Sequence, residues 1–505
     1  MRAALELIGV SKSFGAVAAN RNVSLSIAPG SIHAIVGENG AGKSTLMSIL
    51  FGARKPDTGE IRVDGKPMSF ASPRDALAAG IGMVHQHFML IEAMSVIDNI
   101  LLGAEGGALI ARGRAAMKEK LRGLARDYGL AIDPEAMIAD LPVGLRQRVE
   151  ILKVLTRDVK ILALDEPTAV LTPEEANDLF RLMRQLRDAG KSILFITHKL
   201  REVMAVSDHV SVMQRGEIVA EFETVKTTAD AIAEAMVGRK VKLPQRAQHT
   251  RGEVVFAARN LRVIDNFRAT LLADASLDLH AGEIVGVAGV SGNGQTELLE
   301  ALAGMRRLSG GHLELDGVEI APSKMNPRDL RAMGVMHAPE DRSRHGLVLD
   351  FPASESAMLG FQADLRYGAA LFDGQAVDAD CAQKMAHWDV RPGNPALLTR
   401  GFSGGNQQKI VLAREIERDP RVLLIGQPTR GVDIGAIESI HARLLALRDA
   451  GKAILLVSSE LDEILARSDR ILVMYGGRIV GERRPEATDA RELGLMMAGA
   501  NEAAE

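Results

Sequence analysis

Short runs of apolar residues recur along the chain, separated by segments that mix polar and apolar positions. The runs IHAIV at 32–36, ILALD at 161–165 and ILFIT at 193–197 are apolar at nearly every position. Strands buried on both faces have this pattern, because helices cover both sides of a parallel sheet. The segments between them include helical spacing of apolar residues, as in AAMKEKLRGLARDYG at 115–129. The pattern predicts an α/β fold with a helix-rich insertion in each half of the chain.

The same order of segments occurs twice. The segment at 23–46 pairs with the one at 275–298, and the segment at 141–155 pairs with the one at 402–416. A repeat of this length indicates two duplicated domains rather than a solenoid of small units.

The junction between the two copies is basic. The sequence RKVKLPQRAQHTRG at 239–252 contains a proline and no acidic residue, which is typical of an exposed linker. The predicted organisation is therefore a first domain at 1–238, this linker, and a second domain at 253–500.

A glycine-rich loop follows the first apolar run. Residues 37–45 read GENGAGKST, which fits G-x-x-x-x-G-K-[ST] between a strand and a helix. Backbone N–H groups of such a loop surround phosphate oxygens, Lys43 reaches the β- and γ-phosphates, and Ser44 offers its hydroxyl to Mg²⁺. We therefore expect ATP or a related nucleotide here, together with Mg²⁺. The predicted nucleotide-binding residues of the loop are Gly37, Glu38, Asn39, Gly40, Ala41, Gly42, Lys43, Ser44 and Thr45.

Two adjacent acids end a later apolar run. Asp165 closes the predicted strand ILALD, where folds of this kind hold Mg²⁺, and Glu166 follows it directly. A carboxylate beside the γ-phosphate orients or deprotonates the attacking water.

Composition narrows the class of protein. Of the 505 residues 47% are hydrophobic and 25% are charged, as in ordinary globular proteins, and the formal net charge is −4. This balance does not favour nucleic acid as a partner. Cys381 is the only cysteine, so the chain has no internal disulfide. No run reaches the roughly 20 apolar residues of a transmembrane helix, so a protein of this kind working at a membrane would need a separate membrane-spanning partner.

The segment FSGGNQQK at 402–409 resembles the signature motif of ATP-binding cassette (ABC) ATPases. The resemblance covers nearly the whole chain, twice, and implies two tandem P-loop ABC ATPase domains, each with a helical subdomain. It implies that Ser403, Gly404, Gly405 and Asn406 contact the γ-phosphate.

The resemblance also gives roles to residues of the first half. Gln86 is similar to the glutamine that senses the γ-phosphate and the transmembrane partner, and joins Ser44 and Asp165 as a predicted Mg²⁺ ligand. His198 resembles the switch histidine that supports the γ-phosphate and the attacking water, and Phe14 resembles the aromatic residue that stacks on adenine. The predicted catalytic residues are Glu166, His198, Lys43 and Gln86.

The second copy has lost the phosphate-loop chemistry. Gln295 replaces the lysine, Gly426 and Gln427 replace the acids, and Ser459 replaces the histidine. Either Ala338 or Glu340 aligns with Gln86. The first copy has instead lost the signature, where Pro142 and Val143 stand.

ABC ATPases of the kind that this chain resembles work as head-to-tail pairs, each ATP clamped between one phosphate loop and the opposite signature. In such a pair the altered phosphate loop of the second copy and the altered signature of the first copy belong to the same composite site. The other composite site keeps both of its parts. The resemblance therefore implies an intrachain pseudo-dimer with one hydrolytic site.

Two fused cassettes resemble the ATP-binding subunits of bacterial importers for nucleosides and simple sugars. The segments VHQHFML at 84–90, PEDRSRHGLVLDF at 339–351 and QPTRG at 427–431 favour the nucleoside branch, with a sugar such as ribose or galactose as the alternative. The implied partners are two membrane permease subunits and, indirectly, an extracytoplasmic solute-binding protein, at the cytoplasmic face of the bacterial inner membrane. A soluble ABC protein acting on ribosomes or DNA is a further alternative, and an exporter ATPase is compatible with the fold.

Overall fold

The computed structural model describes residues 2–15, 17–85, 88–103, 110–168, 171, 173–240, 246, 249–290, 292–368 and 372–499. The chain separates into two compact units, Met1–Val241 and Lys242–Glu505. Each unit contains a six-stranded sheet and a four-stranded sheet.

The first unit alternates strands with helices. Its strands are β1 (Leu5–Phe14), β2 (Val17–Ile27), β3 (Ile32–Gly37), β4 (Thr58–Val63), β5 (Lys66–Met68), β6 (Ile81–Val84), β7 (Ile161–Asp165), β8 (Ser192–Thr197), β9 (His209–Gln214) and β10 (Glu217–Glu223). Its helices are α1 (Lys43–Leu50), α2 (Pro73–Ala78), α3 (Val96–Leu101), α4 (Ile110–Tyr128), α5 (Val143–Leu155), α6 (Pro173–Asp188), α7 (Leu200–Val206) and α8 (Ala229–Val237).

The six-stranded sheet of the first unit is parallel except at one edge. Its order is β10-β9-β3-β8-β7-β6, and only β10 runs antiparallel to its neighbour. The three apolar runs form β3, β7 and β8, in which every residue is buried, as the pattern predicted. Helices α3 to α5 lie between β6 and β7 in the chain and form the predicted helical insertion.

The second unit repeats this order. Its strands are β11 (Val254–Ile264), β12 (Thr270–His280), β13 (Glu283–Ala288), β14 (Gly310–Leu315), β15 (Val318–Glu319), β16 (Val335–Ala338), β17 (Val422–Gly426), β18 (Ala453–Val457), β19 (Arg470–Tyr475) and β20 (Arg478–Arg483). Its helices are α9 (Gln295–Leu302), α10 (Pro327–Ala332), α11 (Ala353–Met358), α12 (Gly374–His387), α13 (Gly404–Ile416), α14 (Ile434–Asp449), α15 (Leu461–Arg467) and α16 (Ala490–Met497). The sheet orders, β16-β17-β18-β13-β19-β20 and β12-β11-β14-β15, match those of the first unit strand for strand.

One apolar cluster in each unit fixes the helix that follows the phosphate loop. In the first unit, Leu46 and Met47 of α1 pack with Val10 of the four-stranded sheet and Ile35 of β3. Burying one such side chain contributes roughly 1.5–3 kcal/mol. In the second unit, Leu298 of α9 occupies the corresponding cluster. Both loops are therefore held at each end by buried elements.

The junction differs from a fully exposed linker. Arg246 has a side chain only 17% exposed, donates a hydrogen bond to Asp469 at 3.3 Å, and also pairs with Glu486. Both acids belong to the second unit. Both acids are distant from Arg246 in the sequence, so the residues around Arg246 do not indicate these contacts. Through them Arg246 is held within the second unit.

Across the described ranges, no helix combines the length and the apolar character needed to cross a membrane.

Candidate active site

The loop between β3 and α1 depends on two close backbone approaches. Gly42 precedes α1 with φ of 102°, and a Cβ there would lie 2.2 Å from the Ala19 carbonyl oxygen. A Cβ on Gly37 would lie 2.3 Å from the Met213 carbonyl oxygen. Any side chain at either position would collide with backbone, so these glycines are required by the geometry of the loop.

Lys43, the first residue of α1, reaches back to the start of the loop. Its Nζ donates to the carbonyl oxygens of Gly37 at 2.7 Å and Glu38 at 3.0 Å. Burial lowers the pKa of Lys43, and the charges of Glu166, Asp165 and Glu38 oppose this effect. The lysine, Asp165 at the end of β7 and the following Glu166 therefore share one electrostatic environment.

Glu166 and His198 are paired directly. His198 Nδ1 lies 3.1 Å from Glu166 Oε1. The backbone of Glu166 has φ of 45°, and its N–H donates to the Ile196 carbonyl at 3.0 Å. This left-handed conformation costs about 1–2 kcal/mol for a non-glycine residue. The hydrogen bond from His198, with further help from the charge of Lys43, lowers the pKa of Glu166 and keeps it ionised.

The predicted Mg²⁺ ligands differ in exposure. Asp165 is buried at the end of β7, whereas Ser44 is exposed at the start of α1. A hydroxyl and a carboxylate are hard oxygen donors, which suit Mg²⁺. The third predicted ligand, Gln86, lies outside the described residues.

Phe14 ends β1 with 40% of its surface exposed. The guanidinium carbon of Arg54 lies 5.0 Å from the centre of its ring, and Lys12 Nζ lies 5.9 Å away. An exposed ring flanked by cations is compatible with stacking on a base, and the role of Phe14 stays a prediction.

Two supporting residues have no sequence signal. Asn20 is fully buried and its Nδ2 donates to the Gly42 carbonyl at 3.1 Å, which holds the end of the phosphate loop. Glu202, on α7, accepts hydrogen bonds from Thr168 and, at 2.8 Å, from Thr197. Because Thr168 follows Glu166 closely and Thr197 precedes His198, Glu202 connects the two segments that carry the catalytic pair.

The second unit has the same backbone with neutral side chains. Gln427, in the place of Glu166, has φ of 48°, and its N–H donates to the Val457 carbonyl at 2.7 Å. Ser459 Oγ donates to Gln427 Oε1 at 3.0 Å, where the first unit has the His198–Glu166 pair. Gln295 is buried like Lys43, with its amide against Gly289. At these described positions the backbone is preserved, and neutral side chains replace the ionised groups of the first unit.

The signature segments also differ between the units. Ser403 caps α13, because its Oγ accepts from the Asn406 backbone N–H at 3.4 Å and from Asn406 Nδ2 at 3.0 Å. Gly404 and Gly405 open this helix. The matching helix α5 starts after Pro142, which provides no side-chain cap. The predicted signature therefore has a hydroxyl at its helix start only in the second unit.

Strand register identifies the counterpart of Gln86. Val84, the last residue of β6, pairs with Leu164, and Ala338, the last residue of β16, pairs with Ile425. Gln86 and Glu340 each lie two residues beyond these strand ends. Of the two alternatives left by the sequence, the register selects Glu340.

Comparisons with known proteins agree with this duplicated architecture. The family model described as ABC transporter matches residues 20–169 and 272–430. The chain is 45% identical to the nucleoside import ATP-binding protein of Lactococcus lactis subsp. cremoris, covering 98% of each chain. It is 44% identical to the guanosine import ATP-binding protein of Bacillus subtilis, over 99% of this chain and 98% of the relative. It is 43% identical to the glucose import ATP-binding protein of Haloferax volcanii, over 99% of this chain and 96% of the relative. With two matched cassettes and relatives similar over their full length, the chain belongs to the ABC transporter family.

Proposed function

We propose that this chain is the ATP-hydrolysing subunit of a bacterial importer that takes up a nucleoside-type solute through separate permease subunits. The observation that carries the proposal is the cluster of Lys43, Glu166 and His198 at the phosphate loop of the first unit. Full-length similarity to ATP-binding proteins of importers supports the transport role.

Each residue of the cluster has a distinct chemical role. Lys43 offsets the charge of the β- and γ-phosphates, and backbone N–H groups of the loop surround them. Glu166 is held ionised by His198, and a carboxylate with a lowered pKa is better suited to orienting the attacking water than to removing its proton outright. His198 fixes the position of that carboxylate.

The donors for Mg²⁺ are Ser44 and Asp165, with Gln86 as the predicted third. When bound, the cation neutralises charge that develops on the phosphate oxygens. The exposed hydroxyl of Ser44 and the buried carboxylate of Asp165 are the described features that fit it.

We further propose that hydrolysis takes place at one composite site, formed by the first phosphate loop and the signature residues Ser403 to Asn406. The support is chemical: the ionised groups occur in the first unit and the capped, glycine-containing signature in the second. This pairing makes the chain an intrachain pseudo-dimer, and the subunit a peripheral protein at the cytoplasmic face of the membrane beside two permeases.

The solute is assigned from the relatives. Two of the three relatives described above are named for nucleoside or guanosine import and are 45% and 44% identical to this chain. The third is named for glucose import and is 43% identical. A simple sugar is therefore the second candidate. Uptake of a labelled nucleoside by cells expressing the complete importer, in competition with unlabelled glucose and ribose, decides between them.

The hydrolytic assignment is tested by ATPase assays on the chain in complex with its permeases. We expect Lys43→Ala and Glu166→Gln each to lower kcat by at least about 100-fold, because each removes a preorganised charge that stabilises the transition state. Glu166→Gln should leave KM for ATP nearly unchanged, since the loop contacts remain.

The second unit offers a matched control. Gln427 occupies the position of Glu166, and Gln427→Ala should retain most of the turnover. Near-normal activity of Glu166→Gln, or equal losses in the two variants, would overturn the assignment.

A further inference from the structure

Two of the segments that favour the nucleoside branch meet in the second unit. PEDRSRHGLVLDF at 339–351 follows β16, and QPTRG at 427–431 includes the first residues after β17. Both segments lie against the start of α13, the helix that opens with Gly404 and Gly405. Arg342 is the residue that connects them.

The guanidinium of Arg342 lies between two stretches of backbone. Its Nη1 donates to the Arg430 carbonyl oxygen at 3.0 Å. A Cβ on Gly404 would lie 2.4 Å from its Nη2, and a Cβ on Gly431 would lie 3.5 Å from the same nitrogen. Gly404 therefore leaves the space that the guanidinium occupies, and a larger residue there would displace it.

The turn that carries Arg342 is held at both ends. Residues Arg342–Gly346 form a single π-helical turn, a conformation that recurs at functional sites. At its start, Asp341 Oδ1 accepts from the backbone N–H of Ser343 at 2.9 Å. At its end, the Gly346 carbonyl accepts at 2.6 Å from Arg414, a fully buried residue of α13. The backbone that positions the Arg342 side chain is thus fixed to the same helix that the side chain contacts.

The start of α13 also packs on the segment that follows β17. A Cβ on Gly405 would lie 3.6 Å from Val432 Cα. Beside this contact the Nε of Arg342 is buried, with no hydrogen-bond partner among the residues that the structure describes. Leaving a buried donor unpaired is unfavourable, so stability alone does not account for an arginine in this position.

The first unit has a different residue at the matched place. Counted from the ends of β6 and β16, Phe88 takes the position of Arg342. The helix that corresponds to α13 starts after Pro142 and has no side-chain cap. The guanidinium therefore accompanies the signature that has kept its serine and glycines.

We propose that Arg342 is a positioning residue for the signature: it fixes the start of α13 to the segment after β17 and thereby sets where residues 403–406 meet the γ-phosphate. The proposal rests on the composite site proposed above and adds to it a residue from a separate segment. Both nitrogens of the fork are used, one toward the Arg430 carbonyl and one toward Gly404. A lysine has a single nitrogen and cannot make both contacts.

Hydrogen exchange of the full chain without nucleotide tests the contact by itself. We expect Arg342→Ala to raise the exchange rates of amides at 406–410 and 430–433 by at least about 10-fold, because both segments lose their shared anchor. Arg342→Lys should behave nearly like the alanine variant. Arg344→Ala changes an exposed side chain of the same turn and should leave both rates close to those of the unmodified chain. Unchanged exchange in Arg342→Ala would overturn the proposal.

ATPase assays on the chain in complex with its permeases test the effect on hydrolysis. Arg342→Ala should lower kcat by at least about 10-fold with little change in KM, because the phosphate loop of the first unit is untouched. Guanidinium chloride far below its denaturing concentration should restore part of this kcat, whereas sodium chloride at the same concentration should not. A normal kcat, or a loss without rescue, would overturn the positioning role. Failure of the hydrolytic assignment is seen separately, as normal turnover of Glu166→Gln.

Discussion

Three buried or half-buried glutamates show how contacts set the role of a residue. The hydrogen bond from His198 lowers the pKa of Glu166, whereas burial raises the pKa of Glu202 and of Glu340. Glu166 has the imidazole of His198 as its partner, but Glu202 is bound by two threonine hydroxyls. The first is therefore suited to reaction chemistry and the second to holding a fixed geometry.

Glu202 is a positioning residue, and its removal should lower both stability and turnover. We expect Glu202→Ala to reduce the free energy of unfolding by about 2–4 kcal/mol, because it leaves the hydroxyls of Thr168 and Thr197 without their buried partner. The kcat for ATP hydrolysis should fall, because Glu166 and His198 lose their fixed spacing. KM for ATP should change little, because the structure of the phosphate loop is unaffected. Urea unfolding and steady-state ATPase assays measure the two effects.

Conservative and matched changes distinguish positioning from simple destabilisation. Glu202→Gln keeps one oxygen acceptor and should recover part of kcat. Glu463 holds the equivalent place in the second unit, where it pairs with His441 at 2.7 Å. Glu463→Ala should cost stability without the same loss of kcat, and an identical kinetic defect in both alanine variants would argue against a specific role for Glu202.

At the scale of elements, a buried histidine makes the central sheet of the first unit sensitive to acid. His33 on β3 is 5% exposed, and its Nε2 lies 2.8 Å from Ser211 Oγ on β9. Burial, helped by the nearby His209, lowers the pKa of His33 from 6.5 to about 4. The folded protein therefore keeps this imidazole neutral over a range in which the unfolded chain protonates it.

The sign of this effect gives a pH dependence. Between about pH 6.5 and pH 4 the unfolded chain binds the proton and the folded chain does not, so stability falls as the pH falls through this window. The full contribution is about 3 kcal/mol. The free energy of unfolding of the first unit is measured from its urea transition at a series of pH values. As the pH falls, it should decline less steeply for His33→Gln than for the unmodified chain. The two proteins are compared relative to pH 8, and identical slopes would contradict the prediction.

Much of the architecture was predictable from local patterns, but the supporting contacts were not. The strands β3 and β7 follow from uninterrupted apolar runs, and Lys43, Asp165 and Glu166 follow from motif spacing. Glu202 could not be recognised, because a glutamate on a short helix ordinarily indicates an exposed face, and its threonine partners are separated from it in the chain. Arg246 was missed for the same reason, since its acidic partners follow more than 200 residues later.

At the scale of the whole molecule, the two cassettes carry complementary chemistry. The first contains the ionised cluster at its phosphate loop, and the second contains the capped signature helix. Under the proposed pairing, a bulky cationic side chain introduced into the signature of the second unit should lower hydrolysis far more than the same substitution in the first unit.

We expect Ser403→Arg to abolish measurable ATPase activity of the complete importer, because in the proposed composite site it places a long side chain against the γ-phosphate. Pro142→Arg changes the matched position before α5 and should retain at least about one third of the turnover, since the proposed pairing assigns it to the loop without catalytic groups. The two variants are first shown to have equal thermal stability, and their ATPase activities are then compared. Equal losses in the two variants would refute the single hydrolytic site.

The close packing around Gly426 limits what a single substitution can introduce in the second unit. A Cβ at this position would lie 2.4 Å from Glu340 Cγ, 2.7 Å from Leu299 Cδ2 and 3.0 Å from the Glu340 backbone nitrogen. An aspartate at 426, the counterpart of Asp165, would therefore displace two side chains and crowd a backbone atom. The second unit cannot accept a carboxylate at the end of β17 without local repacking.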